Sequence, residues 1–223
     1  MTYLCMIADL RALLLIFAAS LATPVPVQAH PHVFVDGNVD FVLNAEGDLT
    51  GLSITWRYDP FETLYLLANT GILPQPDGTL LPEDRKKLIK KERAWPEDFQ
   101  GAAHLSLDGT RLPLSGPKAF DADLEDGRLV VRFRRFLDTP VAVRGRSVDV
   151  ALYERTYYYA FTIAAEPQVI GDTDACEAAL IPFEAAKQHE ALQATLAKLS
   201  REETPDDTNV GALFADKVVL ACG

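Results

Sequence analysis

Residues 33–58 constrain the fold most tightly. VFVDGNVDFVL at 33–43 and LTGLSITWRY at 49–58 alternate apolar and polar residues. That is the period of a strand with one buried face. The intervening Asn44-Ala45-Glu46-Gly47-Asp48 has turn chemistry, so a hairpin is expected, with a kink at Gly37. Further short strand signals follow at 102–107, 129–136, 147–153, 156–163, 175–181 and 217–222, with turns at Asp108-Gly109 and Asp126-Gly127. The series predicts a mainly β (α+β) chain built as an antiparallel sandwich-like domain or barrel.

Two segments change period. Asp59-Pro60-Phe61-Glu62 reads as a helix start, with Asp59 as N-cap, Pro60 at the first helical position and Glu62 as the acid of a capping box. Gly71 can stop that helix. A second, highly charged helix is expected over 82–94, so that 59–95 forms a helix–loop–helix insertion. A C-terminal helix is expected over 184–200.

The N-terminus reads as a secretion signal. Residues 12–22 are apolar and follow Arg11, and Val27-Gln28-Ala29 has the small-x-small form of a peptidase site. The apolar run is shorter than the roughly 20 residues a spanning helix needs. Residues 1–29 are therefore expected to be removed, leaving 30–223 as a single periplasmic domain. The net charge of −11 argues against broad binding of nucleic acid or anionic lipid. Cys176 and Cys222 remain as an even pair in an exported chain, so a disulfide between them is expected. Charge is uneven: seven arginines in 128–155 face only Asp138, Asp149 and Glu154, while 166–217 holds eleven acids against four bases. Mutual compensation within the fold and a docking face for a charged partner both account for this.

Processing after Ala29 would place His30-Pro31-His32 at the new terminus. Residues two apart on an extended segment point to the same side, so both imidazoles could converge on one ion, with the terminal amine as a third nitrogen. Imidazole suits Zn, Cu, Ni and Co ions. Pro31 has no N–H, which excludes the square-planar mode that uses a deprotonated second-residue amide. Asp36 shares the strand face but lies too far along it to close the site. Asp59, His104 and Glu154 are weaker candidate ligands that tertiary folding would have to supply, as is His189. Residues 73–84 align with a calcium-hand loop, with Gly78 at position 6. Leu73 at position 1 and Asp84 at position 12 degrade its oxygen set, so calcium is not expected. The aromatic tract 153–161 predicts a packed strand pair, or a wall near the N-terminus supplied by Glu154 or a tyrosine. No nucleophile triad, P-loop or dinucleotide fingerprint stands out.

Several of these motifs resemble a bacterial family of periplasmic proteins often described as components of ABC-type transport systems. The resemblance rests on HPHVFVD at 30–36, Trp56-Arg57-Tyr58-Asp59, Tyr153-Glu154-Arg155-Thr156-Tyr157-Tyr158, and Gly211-Ala212-Leu213-Phe214-Ala215 followed by a strand and Cys222. Glu154 stands where the family pattern has Asp, and the family's acidic loop before the second helix is missing. The resemblance implies association with transition-metal uptake or efflux, notably nickel/cobalt-type membrane permeases. The expectation is thus an exported protein that binds a divalent transition metal through His30 and His32 and serves an inner-membrane permease. A copper-dependent oxidising enzyme using His30 with His104 or His189, and a metal-independent interaction module for a permease, are the alternatives. The sequence sets no oligomeric state.

Overall fold

The structure is a computed structural model that describes residues 31–96, 99, 101–171, 175–184 and 209–223. The expected hairpin forms from β1 (Val33–Leu43) and β2 (Leu49–Tyr58). Every odd-numbered residue of β1 is buried. The Asn44 side chain accepts hydrogen bonds from the Glu46 and Asp48 backbone N–H groups, which closes the turn. The insertion is also present, as α1 (Pro60–Thr70) and α2 (Pro82–Glu92). Gly71 ends α1 in the left-handed conformation, φ 65°, as a C-terminal glycine can without a Cβ penalty. α2 buries only Leu88. Arg85 holds it to the body through Asp121, Asp123 and the Ala122 carbonyl.

The remaining strands are β3 (Ala103–Leu107), β4 (Thr110–Arg111), β5 (Lys118–Glu125), β6 (Arg128–Val141), β7 (Val148–Leu152), β8 (Tyr159–Ile163), β9 (Val169–Ile170), β10 (Cys176–Ile181) and β11 (Lys217–Cys222). One sheet runs β5-β6-β2-β1-β8, with β9 also paired to β1; the other runs β10-β11-β7-β3-β4. Side chains from both sheets, among them Phe41, Ile54 and Phe133 from one and Leu105, Val150 and Val218 from the other, form one core cluster. The fold is therefore a sandwich.

Three expectations need correction. The first sheet is mixed, because β8 and β9 pair with β1 in parallel. β5 carries a weak alternation, Phe120, Ala122 and Leu124 between charges, and its edge position explains why acids dominate it. It is an additional strand, tied to β6 by a two-residue turn at Asp126-Gly127, both at positive φ, as such hairpins require. Gly37 does not kink β1, whose pairing with β2 runs unbroken past it. A Cβ at Gly37 would instead lie 2.7 Å from Leu152 Cδ1 of the facing sheet. The glycine lets the two sheets close. The expected helix over 184–200 lies outside the described residues, apart from its first position.

Three of the four arginines of β6 find partners inside the fold. Arg128 pairs with Asp36, Arg132 with Glu125, and Arg135 donates to the Ser115 and Leu114 carbonyls. Charge compensation within the fold thus accounts for Arg128 and Arg132.

Cys176 and Cys222 face each other across β10 and β11 and are disulfide-bonded, closing a sequence separation of 46. Cross-linking a loop of that size restricts the unfolded chain and is worth about 2–4 kcal/mol. Replacing both cysteines by alanine should lower the urea midpoint accordingly. An unchanged midpoint would show that the bond does not support the fold.

Candidate functional site

His32 lies just ahead of β1 and is exposed. The backbone N–H groups of His32 and Val33 both donate to the Tyr158 carbonyl, at 3.0 and 3.1 Å. The His32 and Tyr158 rings are 4.9 Å apart. Asp36, two positions along the same face from the exposed Phe34, is taken up by Arg128 at 2.6 Å. His30 and His189 lie outside the described residues.

The weaker ligand candidates have structural partners. Asp59 caps α1 by accepting from the Glu62 N–H through Oδ1, and its Oδ2 accepts from the Phe34 N–H, each at 2.9 Å. One carboxylate thereby ties the helix start to β1. The reciprocal half of the capping box does not form, because the Asp59 N–H bonds the Phe34 carbonyl. Glu62 is instead buried and hydrogen-bonded to Tyr159. Glu154 organises its own loop, accepting from the Thr156 N–H, the Thr156 hydroxyl and the Tyr158 N–H at 2.9, 2.6 and 3.0 Å.

His104 is buried and stacked on Tyr153 with ring centroids 3.6 Å apart. Its Nε2 meets the Tyr153 carbonyl at 2.9 Å and its Nδ1 meets the Arg111 guanidinium. Arg111 can only donate, so Nδ1 accepts and the imidazole is neutral with its proton on Nε2. Burial holds its pKa down at about 4, and the Arg111, Arg135 and Arg155 charges act in the same direction. Both ring nitrogens are used. Among the described residues, no three His, Cys, Asp or Glu side chains gather to hold a metal. The structure thus leaves Asp59, His104 and Glu154 in separate structural roles.

A second feature emerges only from strand register. Trp56 and Tyr58 of β2 point to the same face, as do Tyr159 and Phe161 of β8, since residues two apart share a face. Between these pairs β1 places Val35 and Gly37, opposite Tyr58 and Trp56. The aromatic rings and the segment after α2, which brings Trp95 and Phe99, surround a cavity of about 220 Å³. Two carboxylates also line it, Glu92 at the end of α2 and Glu154. The tract 153–161 is only partly strand. Residues 153–158 form a loop, and Glu154 and Tyr159 line this cavity, whose described lining holds no residue of the N-terminal segment.

The electrostatics of the cavity are set by burial. Desolvation raises the Glu92 pKa to about 7; the Glu62 charge adds to this and Lys91 opposes it. Tyr58 and Tyr159 are both pushed up by burial first and by the neighbouring carboxylates second. The Trp56 indole is 5 % exposed, and its Nε1–H has no hydrogen-bond partner among the described residues.

With this geometry in place, relatives give the chain its family. Residues 15–222 match the family model described as a protein of unknown function, DUF1007. The chain belongs to the DUF1007 family. It is also similar to a protein of Haemophilus influenzae described as an uncharacterized protein, 24% identical over 201 residues that cover 88% of this chain and 92% of the relative.

Two titrations, of half-buried Glu92 and buried His104, should oppose each other. The unfolded chain has Glu92 near 4.5 and the folded chain near 7. The folded state therefore binds more protons in that window, and stability is lost as pH rises through it. His104 falls from 6.5 to about 4 on folding, so its contribution is present above 6.5 and lost as pH falls. Glu92→Gln should raise stability at pH 8 by roughly 1–3 kcal/mol and change it little at pH 4.5. Urea unfolding at the two pH values reads this directly. Equal effects at both would mean that Glu92 ionises normally in the fold.

Proposed function

We propose that this DUF1007 protein is an exported, periplasmic, transition-metal-binding accessory of an inner-membrane metal permease. The observation that carries the reading is the position of His32. It is an exposed imidazole on a backbone held by the Tyr158 carbonyl, two residues after His30. Zinc, nickel, cobalt or copper would be cargo, taken by the two imidazoles and, after processing at Ala29, by the terminal amine. A three-nitrogen site leaves coordination positions open. That suits transfer to an incoming donor set better than storage.

One surface supports docking to a permease. Phe61, Leu64 and Tyr65 on α1 are 77%, 68% and 54% exposed, and Phe34 beside the α1 start is 56% exposed. Apolar groups of this size left open at the end of one helix mark an interaction surface. The same surface favours the second reading, a permease-binding module in which the histidines are incidental.

Calorimetric titration of the chain beginning at His30 with Zn, Ni, Co and Cu tests the first reading. Binding should weaken by at least about tenfold, 1.4 kcal/mol, in the His30→Ala/His32→Ala double variant. One residue added ahead of His30 should weaken it less, by blocking only the amine. Equal metal affinity of the parent and double-variant chains would remove the metal reading. Permease capture that survives both chelator and the double substitution would leave the docking module.

A further inference from the structure

We infer that the aromatic cavity is a binding site for a small alkylated ammonium compound. The site is separate from the histidine tract and does not rest on the metal reading. Two features of the walls point to that chemistry.

The first is the walls themselves. Trp56, Tyr58, Trp95, Phe99, Tyr159 and Phe161 present ring faces and edges around about 220 Å³, room for a few heavy atoms. The Trp56 and Trp95 rings stack at 5.9 Å, with Phe99 set edge-on to Trp95 at 5.1 Å. Aromatic faces attract a cation, and Trp does so best. N-alkyl groups also satisfy an apolar lining that water serves poorly.

The second is charge. Glu92 and Glu154 line the cavity. Arg135 lies over the Trp95 ring at 5.9 Å and donates to the Ser115 and Leu114 carbonyls, while Arg85, Arg128 and Arg132 are paired with carboxylates elsewhere. Glu154 is already held by Thr156 and Tyr158. Glu92 is the carboxylate that its surroundings leave short of compensation. Lys91 acts to favour its charged form and Glu62 to oppose it. A neutral apolar guest would deepen that deficit, and an anion would be repelled. A cation offsets it.

The test uses the chain beginning at His30 with choline as probe. Both tryptophans of the protein, Trp56 and Trp95, line the cavity, so intrinsic fluorescence reports on this site alone. Choline should change the emission saturably. Its uncharged isostere 3,3-dimethyl-1-butanol should bind at least about tenfold more weakly, because it lacks the cation–aromatic and cation–carboxylate attraction. Glu92→Gln, which keeps the shape of the wall, should weaken choline about as much while leaving the isostere unaffected. His32→Ala should leave choline binding intact, which separates this site from the metal reading. Equal affinity for choline and the isostere would overturn the proposal in favour of a plain apolar pocket. So would an unchanged choline affinity in Glu92→Gln, or no saturable change at millimolar choline.

Discussion

The absence of a side chain at Gly37 is the constraint on which the rest of the structure turns. Gly37 pairs with Trp56 on one side and Ile163 on the other. Leu152 of the facing sheet occupies the space a Cβ would need, and Phe161 reaches within 3.7 Å of it. Interiors are packed densely enough that one added methyl group at such a point is felt. Trp56 and Phe161, on the strands either side of β1, approach to 5.5 Å between ring centroids and both line the cavity.

The loop at residues 153–158 joins the N-terminal segment to the cavity. Its outer end gives the Tyr158 carbonyl to His32 and Val33, and its inner end gives Glu154 to the cavity wall. The C-terminal segment braces it. Gly211 donates to the Arg155 carbonyl, and any side chain there would place its Cβ 1.8 Å from the Glu154 carbonyl oxygen. Phe214 stacks on Tyr157 with centroids 4.3 Å apart. The Gly-Ala-Leu-Phe run, distant in sequence from both the histidines and the aromatic strand, therefore braces the loop that lies between the two candidate sites.

How much was legible depended on how local the governing physics is. Asp59 could be recognised as an N-cap because capping involves neighbours three residues apart. The Asp-Gly turns could be placed because positive φ is a local demand. β5 was hidden because an edge strand is not required to be apolar, so its acids, which hold Arg85, masked the alternation. The parallel pairing of β8 with β1 was equally hidden, since period-2 patterning gives a strand its faces but not its neighbours. Among the site residues, Glu154 closes its own loop through Thr156 and Tyr158, two and four residues on, but its place in the aromatic cavity depends on elements distant in sequence. Glu92 reads as one more charge on an exposed helix, and only the docking of the α2 end beside Trp95 and the β2 aromatics makes it a half-buried acid.

The sequence alone therefore determined the hairpin, the helix ends, the disulfide partners and the clustering of His30 and His32, because each follows from residues adjacent in the chain or from a simple cysteine count. Tertiary structure alone decided the mixed sheet, the neutral state of His104, the displaced pKa of Glu92 and the existence of an aromatic cavity. Those properties arise where strands far apart in sequence come into register and exclude water. Desolvation and ring packing act through space, and no spacing along the chain encodes them.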